Sequence, residues 1–270
     1  MNEKSVAIIG YGYVGKAIEA YFKDEYRIVL YDPFLGYMDK EPVNEADLAV
    51  VCVPTPMQED GSVDLSAIEE TFAWLKTPLI LIKSTVPPGT TEALAKKYDL
   101  VERLVFSPEY IGEGNYPVPF WKDIPDTTNM KRHSFFIFGG NKKATAPVME
   151  FFKRVSGAHT RFMYTDSTTA EMVKYMNNSW LATKVTFVNE FYEIAEKFDV
   201  DYNALRELFL LDGRVGASHT LVYTDKRGFG GKCLPKDVNG IVKASESKGY
   251  TAQFLKQVLE SNKKFREGKK

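Results

Sequence analysis

Gly10-Tyr11-Gly12-Tyr13-Val14-Gly15 directly follows the apolar run Val6–Ile9 and opens a helical pattern at Val14–Phe22. Glycines at this spacing occur by chance in many loops. Placed between a strand and a helix, they become the fingerprint of a dinucleotide-binding turn. Gly10 permits the tight turn, Gly12 lets a pyrophosphate approach the backbone, and Gly15 lets helix and strand pack closely. The anion then lies on a helix N-terminus, where unpaired N–H groups and the helix dipole favour negative charge.

The rest of the first half fits the fold this turn demands. Val6–Ile9, Arg27–Tyr31, Leu48–Val53, Leu79–Ile82, Leu104–Phe106 and Phe135–Phe138 are short apolar runs bounded by Gly, Pro or Asp. Such runs predict strands covered on both faces. Helical stretches at Val14–Phe22, Leu65–Leu75, Thr90–Tyr98 and Lys142–Val155 alternate with them. The pattern predicts an α/β fold: a Rossmann-type, doubly wound, mostly parallel sheet. Near Asp166 the strand signal stops, and Asp166-Ser167-Thr168 offers N-caps for a long helix to about Phe198. Met172, Val173, Met176, Trp180, Val185, Val188 and Phe191 are expected to form its core-facing stripe. Further helices are expected at about Tyr202–Leu211, at Pro235–Lys248 and from Thr251. The expected boundary divides a Rossmann domain, 1–165, from an all-helical substrate and dimerisation domain, 166–270.

Lys+Arg total 35 against 36 for Asp+Glu, a net charge of −1, so no basic field awaits nucleic acid. No run approaches a membrane span, and the opening residues do not resemble a secretory signal. Two cysteines, Cys52 and Cys233, distant in sequence, fit thiols in a reducing cytoplasm. Asp32 ends the second strand, about 20 residues past the glycines, where an acid bonds a ribose 2′-hydroxyl. Its charge would repel a 2′-phosphate, and no Arg or Lys follows before Lys40. NAD is therefore expected rather than NADP. Asp32 before Pro33 is also a natural turn-former.

The segment Gly228-Phe229-Gly230-Gly231-Lys232-Cys233-Leu234-Pro235-Lys236-Asp237 is the most informative. Gly230-Gly231 permits unusual backbone angles just before the thiol. Pro235 suits the first turn of a helix, which places Cys233 at a helix N-terminus where a thiolate is stabilised. Cys52, inside an apolar strand, fits a structural cysteine.

In this loop the sequence resembles the UDP-glucose/GDP-mannose dehydrogenase family. Other blocks agree in order: Val53-Pro54-Thr55-Pro56 after a strand, Ser84-Thr85-Val86-Pro87-Pro88-Gly89-Thr90-Thr91, and Ser107-Pro108-Glu109-Tyr110-Ile111-Gly112-Glu113-Gly114. Glu171-Met172-Val173-Lys174-Tyr175-Met176-Asn177-Asn178 resembles the central-helix motif, and Asp212-Gly213-Arg214-Val215-Gly216 the segment whose arginine reaches a neighbouring subunit's sugar nucleotide. The resemblance implies oxidation of a primary alcohol through an aldehyde to an acid with two NAD. Cys233 would form a thiohemiacetal and then a thioester. Lys174 and Asn178, four apart on one helix face, would stabilise charge on the sugar's reacting oxygen. Glu113 would be the base for the hydrolytic water, Asp237 would orient it or move its proton, and Thr85 would touch cofactor or sugar. Cofactor contacts are implied for Tyr13, Val14, Val53 and Lys236 beside Gly10, Gly12, Gly15 and Asp32. Substrate contacts are implied for Glu109, Arg214, Phe229, Gly230 and Gly231. His133, His159 and His219 match no catalytic position, and no metal is expected.

The resemblance further implies UDP-glucose as the sugar nucleotide and a homodimer built through the long helix. Relatives usually continue into a third α/β domain, which this chain is expected to lack. The stretch between Asp32 and Leu48 is shorter than theirs, and Gly112 stands where many of them carry arginine. A β-hydroxyacid dehydrogenase shares a Rossmann half followed by helices, but has no need of Cys233. A non-catalytic nucleotide-binding remnant is the alternative from another class.

Overall fold

The computed structural model describes residues 4–111 and 129–268. Seven strands form one sheet: β1 (Ser5–Ile9), β2 (Arg27–Tyr31), β3 (Leu48–Val51), β4 (Ile80–Ile82), β5 (Leu104–Phe106), β6 (Phe135–Gly140) and β7 (Arg161–Thr165). Their order is β2-β1-β3-β4-β5-β6-β7, parallel throughout except that β5 and β6 run antiparallel. The order reverses at β1, which lies between β2 and β3, and an open α/β sheet binds its ligand at such a switch point. The expected fold is the observed one.

Alternation of side chains along each strand divides the core of this unit in two. Val6, Ile8, Leu48, Val50, Leu81 and Val105 pack on one face with α1 (Tyr13–Phe22) and α5 (Lys142–Val155). Ala7, Ile9, Ala49, Val51, Ile80 and Ile82 pack on the other with α2 (Glu41–Asn44), α3 (Ser66–Phe72) and α4 (Thr90–Lys97). Both faces of β1, β3, β4 and β5 are buried, which is why these strands read as continuous apolar runs. Strand β7 has no such run. Of its residues only Phe162 packs on the core, while Met163 and Tyr164 are exposed. It lies at the sheet's end and escapes the pattern that finds the others.

Two compact units divide the chain: Met1–Pro56 with Val63–Lys174, and Met57–Ser62 with Tyr175–Lys270. Helix α6 (Ser167–Lys197) is continuous from one into the other; α7 (Tyr202–Phe209), α8 (Cys233–Ser247) and α9 (Gln253–Glu267) follow. The second unit has its own core of Ala182, Phe229, Val238 and Val258, with Val185, Leu234, Leu255 and Leu259 packed around it. Among the described residues no helix is long and apolar enough to cross a membrane.

The expected stripe on α6 requires correction. Met176 is 75% exposed and Trp180 60%, and Met172 and Phe191 are also exposed; of the seven named residues, Val188 is the one fully buried. The buried face instead carries Glu171, Lys174, Asn178 and Asn189 between Ala170, Tyr175 and Ala182. A helical hydrophobic period identifies a face that avoids water, but not what covers it.

On the α1/α5 side of the sheet, aromatic rings carry much of the packing. Phe152 is fully buried, its ring centroid 5.0 Å from those of Phe22, Phe136 and Phe138 and 5.5 Å from that of Tyr21. Phe152→Ala is expected to cost about 3–5 kcal/mol in urea denaturation. A loss under about 1 kcal/mol would show that this cluster does not anchor the unit.

Candidate functional site

At the end of β1 the chain turns through Gly10, with φ +87°. A Cβ there would lie 2.7 Å from the Cys52 carbonyl oxygen, and one on Gly15 would collide with the Gly10 carbonyl. Gly12, the N-cap of α1, has open space where a Cβ would be. Two glycines therefore allow closure, and the third leaves an opening over the helix N-terminus. No side chain caps that terminus and no acidic residue occupies its first turn. A helix N-terminus facing an opening suits a dinucleotide's pyrophosphate, so the residues present fit NAD. Tyr13 is exposed on the first turn of α1, while Val14 packs toward the core.

Asp32 forms a turn, as one of its sequence readings expects, and also contacts the glycine turn. One carboxylate oxygen accepts the Tyr11 N–H at 2.8 Å, tying it to the glycine turn. The other accepts the Phe34 N–H at 3.1 Å and caps a single 3-10 turn, Pro33–Leu35. The short stretch before β3 is a narrow turn closed by a bridge from Asp32 to Tyr37. The loops that follow β3 and β4 are bonded together: the Ser84 hydroxyl donates to the Val53 carbonyl at 2.7 Å, and that of Thr55 to the Thr85 carbonyl at 2.8 Å.

Lys174 is buried and does not face solvent as lysines ordinarily do. Its Nζ donates to the Glu109 carbonyl at 2.7 Å and to Glu109 Oε1 at 2.9 Å, and lies over the Tyr110 ring. The Ile111 N–H donates to Glu109 Oε2 at 2.8 Å. Burial would raise the Glu109 carboxyl, but Lys174, the Ile111 N–H and Lys83 hold it below the usual carboxylate range. Glu113 and Gly112 lie outside the described residues.

In the second unit Cys233 is the first residue of α8, Lys232 is its N-cap, and Pro235 falls within the first turn. Neither Cys233 nor Cys52 is in a disulfide. Burial pushes the Cys52 thiol up to about 12, as expected of a structural cysteine. Asp237, one turn beyond Cys233, is 1% exposed. It accepts from Asn178 Nδ2 at 2.5 Å and from Lys236 Nζ at 2.6 Å. Asn178, Asp237 and Lys236 therefore form one bonded group. Arg214 stands apart, exposed and clamped by its guanidinium to Asp212 in its own turn.

The glycine loop before Cys233 is held in a way that changes the reading of Phe229. Its ring is buried in the helical core rather than turned to a ligand. Its N–H donates to Asn262 Oδ1 at 2.6 Å, and its carbonyl accepts from Asn262 Nδ2 at 2.9 Å. Gly231 has φ +74° and is open where a Cβ would stand, whereas a Cβ on Gly230 would press within 2.5 Å of the Arg266 guanidinium. Arg227 closes the base, bonded to Asn189 and stacked over Tyr192 and Phe265.

Sequence reading missed Lys83, Glu171 and Asn262. Glu171 was part of a recognised motif without a role: its carboxylate accepts the Gly89 N–H at 2.6 Å and the Thr91 N–H at 2.8 Å, capping α4. Burial is the main force on this group and raises it to about 7; Thr91 and Gly89 pull it down and Asp166 adds to the rise. The folded protein therefore holds this proton more tightly than the unfolded chain, whose value is near 4.5. The stabilisation is complete below about pH 4.5 and is lost as pH rises through 7. Between pH 5 and 8 the native protein should lose on the order of 2–3 kcal/mol relative to Glu171→Gln, read from denaturant melts across pH. Parallel curves for the two proteins would refute this assignment.

Comparison with known proteins places these features in a family. Residues 35–154 match the model of the UDP-glucose/GDP-mannose dehydrogenase family's NAD binding domain, and residues 168–264 that of its central domain. UDP-glucose 6-dehydrogenase TuaD of Bacillus subtilis is 28% identical over 97% of this chain and 64% of its own length. The UDP-glucose 6-dehydrogenase of Rickettsia conorii is 32% identical over 82% of this chain and 50% of its own. The chain thus spans about half to two thirds of the length of these curated relatives. The structure of a UDP-glucose dehydrogenase from Pyrobaculum islandicum superposes with a TM-score of 0.80 at 27% identity, covering 97% of this chain and 68% of that one.

Proposed function

The chain belongs to the UDP-glucose/GDP-mannose dehydrogenase family, and on that premise we propose that it is an NAD-dependent nucleotide-sugar dehydrogenase with UDP-glucose as its substrate. The C6 alcohol is oxidised to a carboxylate in two hydride transfers. Residues 1–165 hold the cofactor, and residues 166–270 carry the substrate and dimerisation functions. The observation that carries the reading is Cys233 at the start of α8, one turn from a buried Asp237 bonded to Asn178.

Bound NAD accepts one hydride at each oxidation. The chain's own residues do the rest. Gly10, Gly12, Tyr13, Val14 and Gly15 receive the pyrophosphate, Asp32 the ribose, and Val53, Thr85 and Lys236 the remainder of the cofactor. In the first step the alcohol loses a hydride and gives its proton to solvent water, while Lys174 and Asn178 stabilise the charge on its oxygen. The Cys233 sulfur then bonds to the aldehyde carbon, giving a thiohemiacetal, and loss of the second hydride leaves a thioester. Water, deprotonated by Glu113 and oriented by Asp237, breaks the C–S bond; carboxylate leaves and the thiol is restored. Glu109 supports substrate through its loop, with Gly230, Gly231 and the backbone of Phe229.

Purified protein given NAD and UDP-glucose should form two NADH per sugar and UDP-glucuronate. One NADH per sugar would overturn the two-step reading, and binding without NAD reduction would overturn the activity. Cys233→Ala should abolish acid formation; undiminished acid from that variant would sink the thioester route.

A homodimer through α6 follows from its outer face. Met176, Trp180, Phe187, Phe191 and Ile194 are exposed at intervals of three, four and seven residues along one helix. A contiguous apolar stripe of this kind needs a cover, and a second copy of the same helix supplies one by two-fold symmetry. Arg214 then reaches the sugar nucleotide of the neighbouring subunit. Trp180→Asp should sediment as a monomer at concentrations where the native protein is a dimer; unchanged sedimentation would exclude α6 as the interface. Two unlinked thiols suit a reducing cytoplasm.

A further inference from the structure

Among the described residues, the hydrogen bonds of the Gly228–Gly231 backbone all come from two side-chain amides. The Gly228 N–H donates to Asn189 Oδ1 at 3.1 Å. The Phe229 N–H donates to Asn262 Oδ1 at 2.6 Å, and Asn262 Nδ2 donates to the Phe229 carbonyl at 2.9 Å. No backbone ladder shapes this stretch. Gly228 and Gly231 are left-handed, with φ +69° and +74°, so the loop follows neither helix nor strand and side chains must hold its form.

The holding face belongs to α9. Asn262 and Arg266 lie one turn apart on it and are neighbours on the helix surface. A Cβ on Gly228 would collide with Asn262 Oδ1 and come within 3.3 Å of Arg266 Cγ, and one on Gly230 would meet the Arg266 guanidinium. The helix therefore lies against the loop with no room for side chains between. On the other side of the loop, the Phe229 ring packs in one core with Val238 and Leu234 of α8, the latter directly after Cys233.

We infer that Asn262 is a positioning residue: its grip on the Phe229 peptide fixes the loop that leads into Cys233, and so sets where the sulfur stands for attack on the aldehyde. The inference rests on the reading above, in which Cys233 makes that attack. An amide carries an acceptor and a donor side by side, which is what one peptide needs to have both its groups bonded. Both bonds are buried, so an apolar residue in place of Asn262 would leave the Phe229 N–H and carbonyl unpaired and favour another course of the loop.

The test compares Asn262→Leu, which keeps size and loses both bonds, with Val258→Ala. The latter thins the packing of the same helix on the same core and leaves the Phe229 peptide untouched. Each protein is assayed below its own Tm. Hydrogen exchange should show the Phe229 amide losing protection in Asn262→Leu. Cys233 is only partly exposed, so its alkylation by iodoacetamide, read from the mass of its peptide, should be about five-fold faster in that variant. Acid formation from UDP-glucose should fall about 10- to 100-fold, with KM for NAD changed less than about two-fold. Val258→Ala should lower Tm and leave alkylation and kcat near native values. Native alkylation and kcat in folded Asn262→Leu overturn the inference, as does an equal loss of kcat in Val258→Ala. Should the Leu variant not fold, Asn262→Asp, which keeps an acceptor for the Phe229 N–H, takes its place with changes in the same direction. Faster alkylation in a variant of a protein that does not turn over UDP-glucose overturns the dehydrogenase reading, but leaves Asn262 as the residue that places the thiol.

Discussion

The close approach of α1 to the end of β1 is the contact on which the cofactor half depends. It exists because Gly10 and Gly15 have no side chains where the two backbones meet, and because the Gly10 turn lies against the Cys52 carbonyl at the end of the next strand. A side chain at Gly15 would push the helix off the strand. The turn would then open, and the N–H groups of the first helical turn would no longer converge. The same constraint explains why Asp32 bonds the Tyr11 N–H: with helix and strand so close, the acid at the end of β2 comes within reach of the turn itself.

Helix α6 obeys a different logic. Its buried side is polar, and the charged and amide groups there have defined partners. Glu171 caps α4, Lys174 pairs with Glu109, Asn178 bonds Asp237, and Asn189 holds Arg227. Buried polar groups are tolerable only when satisfied in this way, and once satisfied they fix a single arrangement. The outer side is apolar. The helix therefore places its specific polar contacts inward and its apolar side chains outward.

This division marks how much could be read from the sequence. The sheet was legible because burial on both faces turns β1, β3, β4 and β5 into uninterrupted apolar runs. Strand β7 was not, since only Phe162 among its residues packs on the core. The glycine turn and the Cys233 loop were legible because backbone geometry admits so few residue types there. The α6 stripe was found but assigned to the wrong environment, because periodicity carries no information about what lies on the other side. Phe229, expected at the substrate, has its ring in the helical core, a packing role that its motif did not announce. Lys83 and Asn262 went unnoticed because their partners, the Pro108 carbonyl and the Phe229 backbone, are contacts between distant segments that no local pattern announces.

The grip of Asn262 on both polar groups of the Phe229 peptide has a consequence for how the molecule is made. A side-chain amide here does the work of a neighbouring strand, and it comes from a helix that begins twenty residues after the cysteine. Arg227 likewise needs Phe265 beneath it. During synthesis, then, the thiol-bearing loop emerges well before the side chains that set its shape. The Rossmann half can close while the ribosome is still adding α8, but the loop reaches its final geometry only when α9 has left the exit tunnel.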